Sequence, residues 1–264
     1  MAFVDSKHKP VLARLEVVRN EQISPNFRRI TVGGPDVAKI TDAGFDHWFR
    51  LFLPQEEGET SFDLPERVDL LGYLKYLRMP GESRPHLRNY TVRSLRHDSN
   101  EIDIDFVVHG DEGVATRWAS RTVPGDRCAL IDQGRGYHPG DGADEYLLAT
   151  DETGLPAVLG ILDDLPRDAR GVAYIEIPDA ADAQPHDAPA GVEVRWLVRA
   201  AGARPGDLAL ETAKDWMPAG GTVSAYVVGE QNLPTQLRRH LVNERNVPKK
   251  SIVFSGYWKI GHAH

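Results

Sequence analysis

The sequence predicts two domains of different class: an antiparallel β-barrel over residues 1–140, then an α/β domain with a parallel sheet over residues 141–264. Two observations carry this. Up to about residue 140, short runs of β-branched and aromatic residues are separated by Gly, Pro and Asn turn signals, the rhythm of a small barrel. Beyond Pro139-Gly140-Asp141-Gly142 strand and helix patterns alternate. Repeated βα units predict an open parallel sheet with ligand at the carboxyl ends of its strands.

In the first domain, Val11 to Arg19 is strand-rich, Ser24-Pro25-Asn26 turns, and Phe27 to Val32 runs on until Gly33-Gly34-Pro35. His47 to Leu53 is a third strand, closed by Pro54. Residues 54–80, rich in Glu, Gly and Pro, read as a long loop. Ile102-Asp103-Ile104-Asp105-Phe106 alternates apolar and acidic residues, which predicts a strand with one wet face. Nothing nearby completes a coordination shell for those two aspartates, so no metal is expected. After His109 two glycines open the backbone, and Val114 to Ala119 starts a helix whose free amides suit a pyrophosphate. Gly134-Arg135-Gly136 closes the domain and leaves Arg135 either a boundary cation or a ligand group.

In the second domain Glu145 to Thr150 is a buried strand leading through Asp151-Glu152-Thr153-Gly154 into a helix with Val158, Ile161, Leu162 and Leu165 on one face. Val172 to Ile177 and Val192 to Val198 are strands, Leu208 to Trp216 a helix, and Val223 to Val228 a strand. Leu233 to Asn246 is a helix with Asn232 as its N-cap, and Ile252-Val253-Phe254 is the last strand. There is no Gly-x-Gly-x-x-Gly. Glu176, ending the second strand, stands where an acid accepts hydrogen bonds from an adenosine ribose, which would favour NADH over NADPH; a plain surface glutamate fits equally.

Composition narrows the function classes. A net charge of −8 argues against general nucleic-acid binding, and an anionic substrate would need a local cationic pocket. One cysteine, Cys128, excludes an internal disulfide and a cluster held by several thiolates; it reads as a small buried hydrophobe. No apolar run is long enough to span a bilayer and the N-terminus lacks a secretory apolar core, so a cytoplasmic protein without membrane insertion is expected.

The most informative stretch is His86-Leu87-Arg88-Asn89-Tyr90-Thr91-Val92-Arg93. In an extended segment Arg88 and Tyr90 share one face while Thr91 and Arg93 take the other. A guanidinium fork beside a phenol ring suits a ligand that is half phosphate and half flat heterocycle. Arg-x-Tyr-Thr-x-Arg at 88–93 resembles the flavin-binding signature of the ferredoxin-reductase-like flavoproteins. With His109-Gly110-Asp111-Glu112-Gly113-Val114-Ala115-Thr116-Arg117-Trp118-Ala119, Asp151-Glu152-Thr153-Gly154-Leu155-Pro156-Ala157 and Ser255-Gly256-Tyr257-Trp258-Lys259-Ile260-Gly261, in this order, the chain resembles the siderophore-interacting proteins.

The resemblance implies an FAD-binding barrel and an NAD(P)H-binding-like domain, with electrons passing from NADH or NADPH through FAD to siderophore-bound Fe(III) so that Fe(II) is released. It places Arg88 and the amides near Val114 and Ala115 on the FAD diphosphate, Tyr90 against the isoalloxazine and Thr91 near its reactive N5. Val107, His109, Gly113 and Thr116 are further cofactor contacts, and Asp151 and Thr153 belong to the nicotinamide loop. Arg50, Arg135 and Lys259 form a cationic triad for an anionic, catecholate-type ferric siderophore, with Lys259 standing where the family often carries Arg. No resident metal is implied. A general flavin or ferredoxin-type reductase, which would not need that triad, and a non-catalytic siderophore-binding protein are the alternatives.

Overall fold

The computed structural model describes residues 8–65, 70–108, 113–139 and 142–261. These divide into two compact units. One holds residues 8–43 and His47–Arg135; the other holds Gly44–Asp46 and residues from Gly136 onward.

The first unit is a seven-stranded antiparallel sheet in the order β4-β3-β7-β1-β2-β6-β5. Its strands are β1 (Leu12–Ser24), β2 (Phe27–Gly33), β3 (Trp48–Leu53), β4 (His86–Thr91), β5 (Ser94–Arg96), β6 (Glu101–Val107) and β7 (Arg127–Asp132). Ser24 pairs with Phe27, so Pro25 and Asn26 form the turn the sequence signals. Inward-facing residues of the strands, among them Leu15, Ile30, Val32, Phe49, Leu51, Ile102, Ile104, Phe106 and Leu130, make one core. Where β4 ends, the Arg93 amide donates to Asp103 O of β6 at 2.9 Å, carrying the sheet round towards closure.

Two features differ from expectation. The segment read as a loop contains a helix, α1 (Leu70–Leu77), anchored by Tyr76, whose ring lies 5.8 Å from Phe52 and whose hydroxyl donates to Pro85 O. The acidic face of β6 is also not wet: Asp103 and Asp105 are 7% and 4% exposed. Arg29 forks onto Asp105 at 2.7 and 2.8 Å, and Arg96 onto Asp103 at 2.6 and 2.7 Å. Burial raises the Asp103 pKa, but hydrogen bonds from Arg96 and Thr31 outweigh it and hold the group below its ordinary value.

The second unit is a five-stranded parallel sheet in the order β10-β9-β8-β11-β12. Its elements are β8 (Glu145–Thr150), α3 (Leu155–Asp164), β9 (Arg170–Ile177), β10 (Gly191–Val198), α4 (Asp207–Lys214), β11 (Val223–Glu230), α5 (Asn232–Glu244) and β12 (Ile252–Trp258). Here α2 (Val114–Arg121) of the first unit precedes them in chain order. One sheet face packs on α4 and α5 through Ala209, Leu210, Leu237 and Leu241. Helix α5 begins at Asn232 with Gln231 as its cap, and β12 continues to Trp258, past the Phe254 end expected from its apolar run. Strand order reverses between β8 and β11, the place where open sheets of this kind receive ligands.

Candidate functional site

In the barrel unit, β4 runs antiparallel to β3 with Arg88 opposite Leu51 and Tyr90 opposite Phe49. Directly paired residues share a face. Arg88 and Tyr90 therefore lie on the side of the inner core, and the Tyr90 ring packs on Phe106 at 4.3 Å between centroids. Phe106 in turn lies 5.5 Å from Trp118 of α2. This run of three rings fixes the signature strand relative to the helix. Tyr90 remains half-buried, and burial raises its phenol above the ordinary value, so it stays a neutral platform.

Among the described residues no side chain blocks the N-terminus of helix α2. Gly113 caps it at φ 100, no side chain caps its first amides, and its first turn contains no acidic residue. Among the described residues a Cβ at Gly113 would meet only Thr116 Oγ1, at 4.0 Å, so the requirement for glycine there is the backbone angle. Thr116 Oγ1 reaches back to Val107 O at 3.5 Å and ties the helix start to β6. Amide donors at a helix start, an arginine fork and an aromatic platform form a donor set that suits a diphosphate joined to a flat ring. His109 lies outside the described residues.

Thr91 is buried opposite Trp48, on the other face of β4 from Tyr90. Arg50 lies opposite Asn89 and Ile131, sharing the outer face of β3 with Phe52 rather than the face of Arg88 and Tyr90. It is half-buried, and burial lowers its pKa, though a guanidinium keeps its charge. Arg135 is half-buried at the end of the unit.

In the α/β unit the expected acidic residues have internal employment. Glu176 is fully buried, and its carboxylate accepts from Gly206 N, Ala209 N and Arg199 Nη1 at 2.8–2.9 Å. With no exposure and both oxygens engaged by internal donors, Glu176 does not supply the ribose acceptor that would favour NADH over NADPH. Arg199 also forks onto Glu152 with two bonds of 2.8 Å, closing a Glu–Arg–Glu cluster. Asp151 is likewise buried, and burial with the adjacent Glu152 charge pushes it up to about 6. Its carboxylate accepts from Thr153 N and Oγ1, Glu230 N and Trp258 Nε1. Asp151 and Thr153 thus bond each other, and Asp151 also bonds Glu230 and Trp258. Lys259, next to Trp258, is exposed. The Trp258 and Glu230 contacts were missed by sequence reasoning because nothing local marks a tryptophan as the partner of an aspartate 107 positions away.

Residues 16–136 match the siderophore-interacting FAD-binding domain, and residues 143–261 match the siderophore-interacting protein domain. The chain belongs to the siderophore-interacting protein family. It is 30% identical over 249 residues to the ferric vibriobactin reductase of Vibrio cholerae, covering 94% of this chain and 89% of that one. It is 30% identical over 253 residues to the NADPH-dependent ferric-chelate reductase of Escherichia coli, covering 92% and 91%. The crystal structure of a siderophore utilization protein from T. fusca superposes with a TM-score of 0.80 at 33% identity, covering 100% and 97%. In this siderophore-interacting protein the barrel unit is accordingly an FAD-binding domain, and the α2 start with Arg88 and Tyr90 fits that group. Among the described residues no helix is long and apolar enough to cross a membrane, and no three His, Cys, Asp or Glu side chains gather to hold a metal.

Proposed function

We propose that this protein is a ferric-siderophore reductase that takes electrons from NADH or NADPH through FAD and delivers them to siderophore-bound Fe(III). The observation that carries the reading is the pairing of Tyr90 and Arg88 on one strand face with the uncapped start of α2, in a chain related over almost its whole length to a ferric vibriobactin reductase and a ferric-chelate reductase. Bound FAD supplies the conversion between a two-electron donor and a one-electron acceptor. The protein's part is to bind and orient. Arg88 and the amides of Val114 and Ala115 neutralise the diphosphate, and the Tyr90 ring, braced by Phe106, supports the flat ring. Thr91 ends the same strand on its other, buried face, and Val107, Gly113 and Thr116 shape the diphosphate pocket.

Arg50, Arg135 and Lys259 serve as the cations that take the ferric chelate. An anionic catecholate complex gains most from them, since this chain carries a net charge of −8 and offers no general attraction to anions. Hard oxygen donors hold Fe(III) far better than Fe(II), so reduction loosens the iron without an acid–base pair. The test is optical. The purified protein should bind FAD stoichiometrically, lose its flavin absorbance when NADH or NADPH is added without oxygen, and regain it on addition of a ferric catecholate while a ferrous trap colours. A protein that binds FAD but does not return to the oxidised spectrum with any ferric chelate would be a different reductase.

A further inference from the structure

At the strand-order reversal, where open sheets of this kind receive ligands, residues of β12 are bonded to the ends of β8 and β11: the Trp258 indole donates to Asp151, and Gln231 N donates to the Trp258 carbonyl. We propose that Asp151 and Glu230 are positioning residues for Lys259, holding the segment on either side of it; this rests on the reading that Lys259 meets the anionic chelate.

Asp151 follows β8 and Glu230 ends β11, so the two carboxylates flank the reversal. One Asp151 oxygen is held by Thr153 N at 2.9 Å and Thr153 Oγ1 at 2.5 Å. The other receives Glu230 N at 2.6 Å and the Trp258 indole N–H at 3.1 Å. Gly229 makes that approach possible: it has φ +125, and a Cβ there would lie 2.8 Å from the Asp151 carboxyl. The Trp258 carbonyl is held by Gln231 N at 2.9 Å. On the far side of Lys259, the Ile260 amide donates to Glu230 Oε1 at 3.4 Å. Glu230 is itself fixed by Asn232 N at 2.7 Å and Arg204 Nη2 at 3.0 Å. Residues 258 and 260 are thus both tied to the sheet while the lysine between them is exposed. A flexible four-carbon stem gains little orientation from its own packing, so the backbone beneath it sets where its charge stands.

A positioning role separates from a purely structural one through energetic coupling. Asp151→Asn keeps the shape but turns an N–H donor towards two other donors, and Trp258→Phe keeps an aromatic ring, though a smaller one, while removing the indole N–H from the clamp. Dissociation constants would be measured on FAD-loaded protein by fluorescence titration with a ferric tris-catecholate and with a neutral ferric trihydroxamate. Lys259→Ala should weaken the anionic complex about tenfold and the neutral one far less. Each clamp variant should reproduce much of that loss, with the same preference between chelates, and add nothing further when combined with Lys259→Ala. Wild-type affinity in Trp258→Phe alongside a large loss in Lys259→Ala would overturn the positioning role, as would losses that add in full. Should Asp151→Asn not fold, Trp258→Phe alone decides. If Lys259→Ala binds both chelates as the wild type does, the assignment of Lys259 to the substrate fails first, and the positioning role fails with it.

Discussion

Removing Arg199 is the sharpest probe of the α/β unit. Its side chain is 10% exposed and meets Glu152 and Glu176, which are 1% and 0% exposed. Arg199→Met keeps the aliphatic bulk and leaves two carboxylates without their shared cation. Glu176 retains the amides of Gly206 and Ala209, so the larger penalty falls on Glu152, which loses two charged hydrogen bonds of 2.8 Å. Breaking a buried pair from one side costs about 3–5 kcal/mol. With a urea dependence of about 2 kcal/mol/M, the midpoint of the α/β unit should fall by about 2 M. Unfolding would be followed by intrinsic tryptophan fluorescence at saturating FAD, three of the five tryptophans (Trp196, Trp216 and Trp258) lying in the α/β unit. Adding Glu152→Gln to Arg199→Met should restore much of the loss, because an amide is far cheaper to bury unpaired than a charge. A shift below about 0.5 M, or no recovery in the double variant, would refute the view that this cluster is a structural brace. The companion change, Glu176→Gln, should leave KM for NADH and NADPH within about twofold, whereas a carboxylate bonded to a ribose hydroxyl would raise one of them about tenfold.

Arg88→Ala should raise the dissociation constant for FAD by about tenfold or more, the worth of a charge-assisted bond, measured by titrating apoprotein with FAD. Gly113→Val should also weaken FAD, since a β-branched residue at φ 100 distorts the helix start; unchanged affinity would show that the α2 amides do not hold the diphosphate. Burial pushes the Cys128 thiol up to about 12, so native protein should not react with a disulfide reagent at pH 8 and should do so only on unfolding. At His47 burial lowers the pKa, but the hydrogen bond to Asp132 at 2.7 Å and the Asp42 carboxylate 3.7 Å away outweigh it and raise the group from 6.5 to about 9. Its contribution to stability is then fully present below pH 6.5 and lost as pH rises through about 9; His47→Gln should flatten the stability profile across that window, read from thermal midpoints.

How far the site could be read in advance depends on whether its geometry is local. Alternation along a strand is a property of neighbouring residues, so the shared face of Arg88 and Tyr90 follows from their spacing alone, and the register with Leu51 and Phe49 bears it out. Gly113 before a helix is equally local. Helix α1 escaped because Gly72 and the surrounding Glu, Gly and Pro residues mask an apolar run of one turn's spacing. The acids were misread for a different reason. Asp103 and Asp105 alternate as a wet face should, but Arg29 arrives opposite Asp105 from β2, 76 positions away, and dries it. Glu176 ends a strand as a ribose acceptor would, yet its amide partners lie 30 and 33 positions further on. An ionisable side chain at a strand end therefore does not declare a ligand until the backbone donors folded around it have been counted. That count makes the acidic end of this sheet the anchorage of Trp258 and, through it, of Lys259.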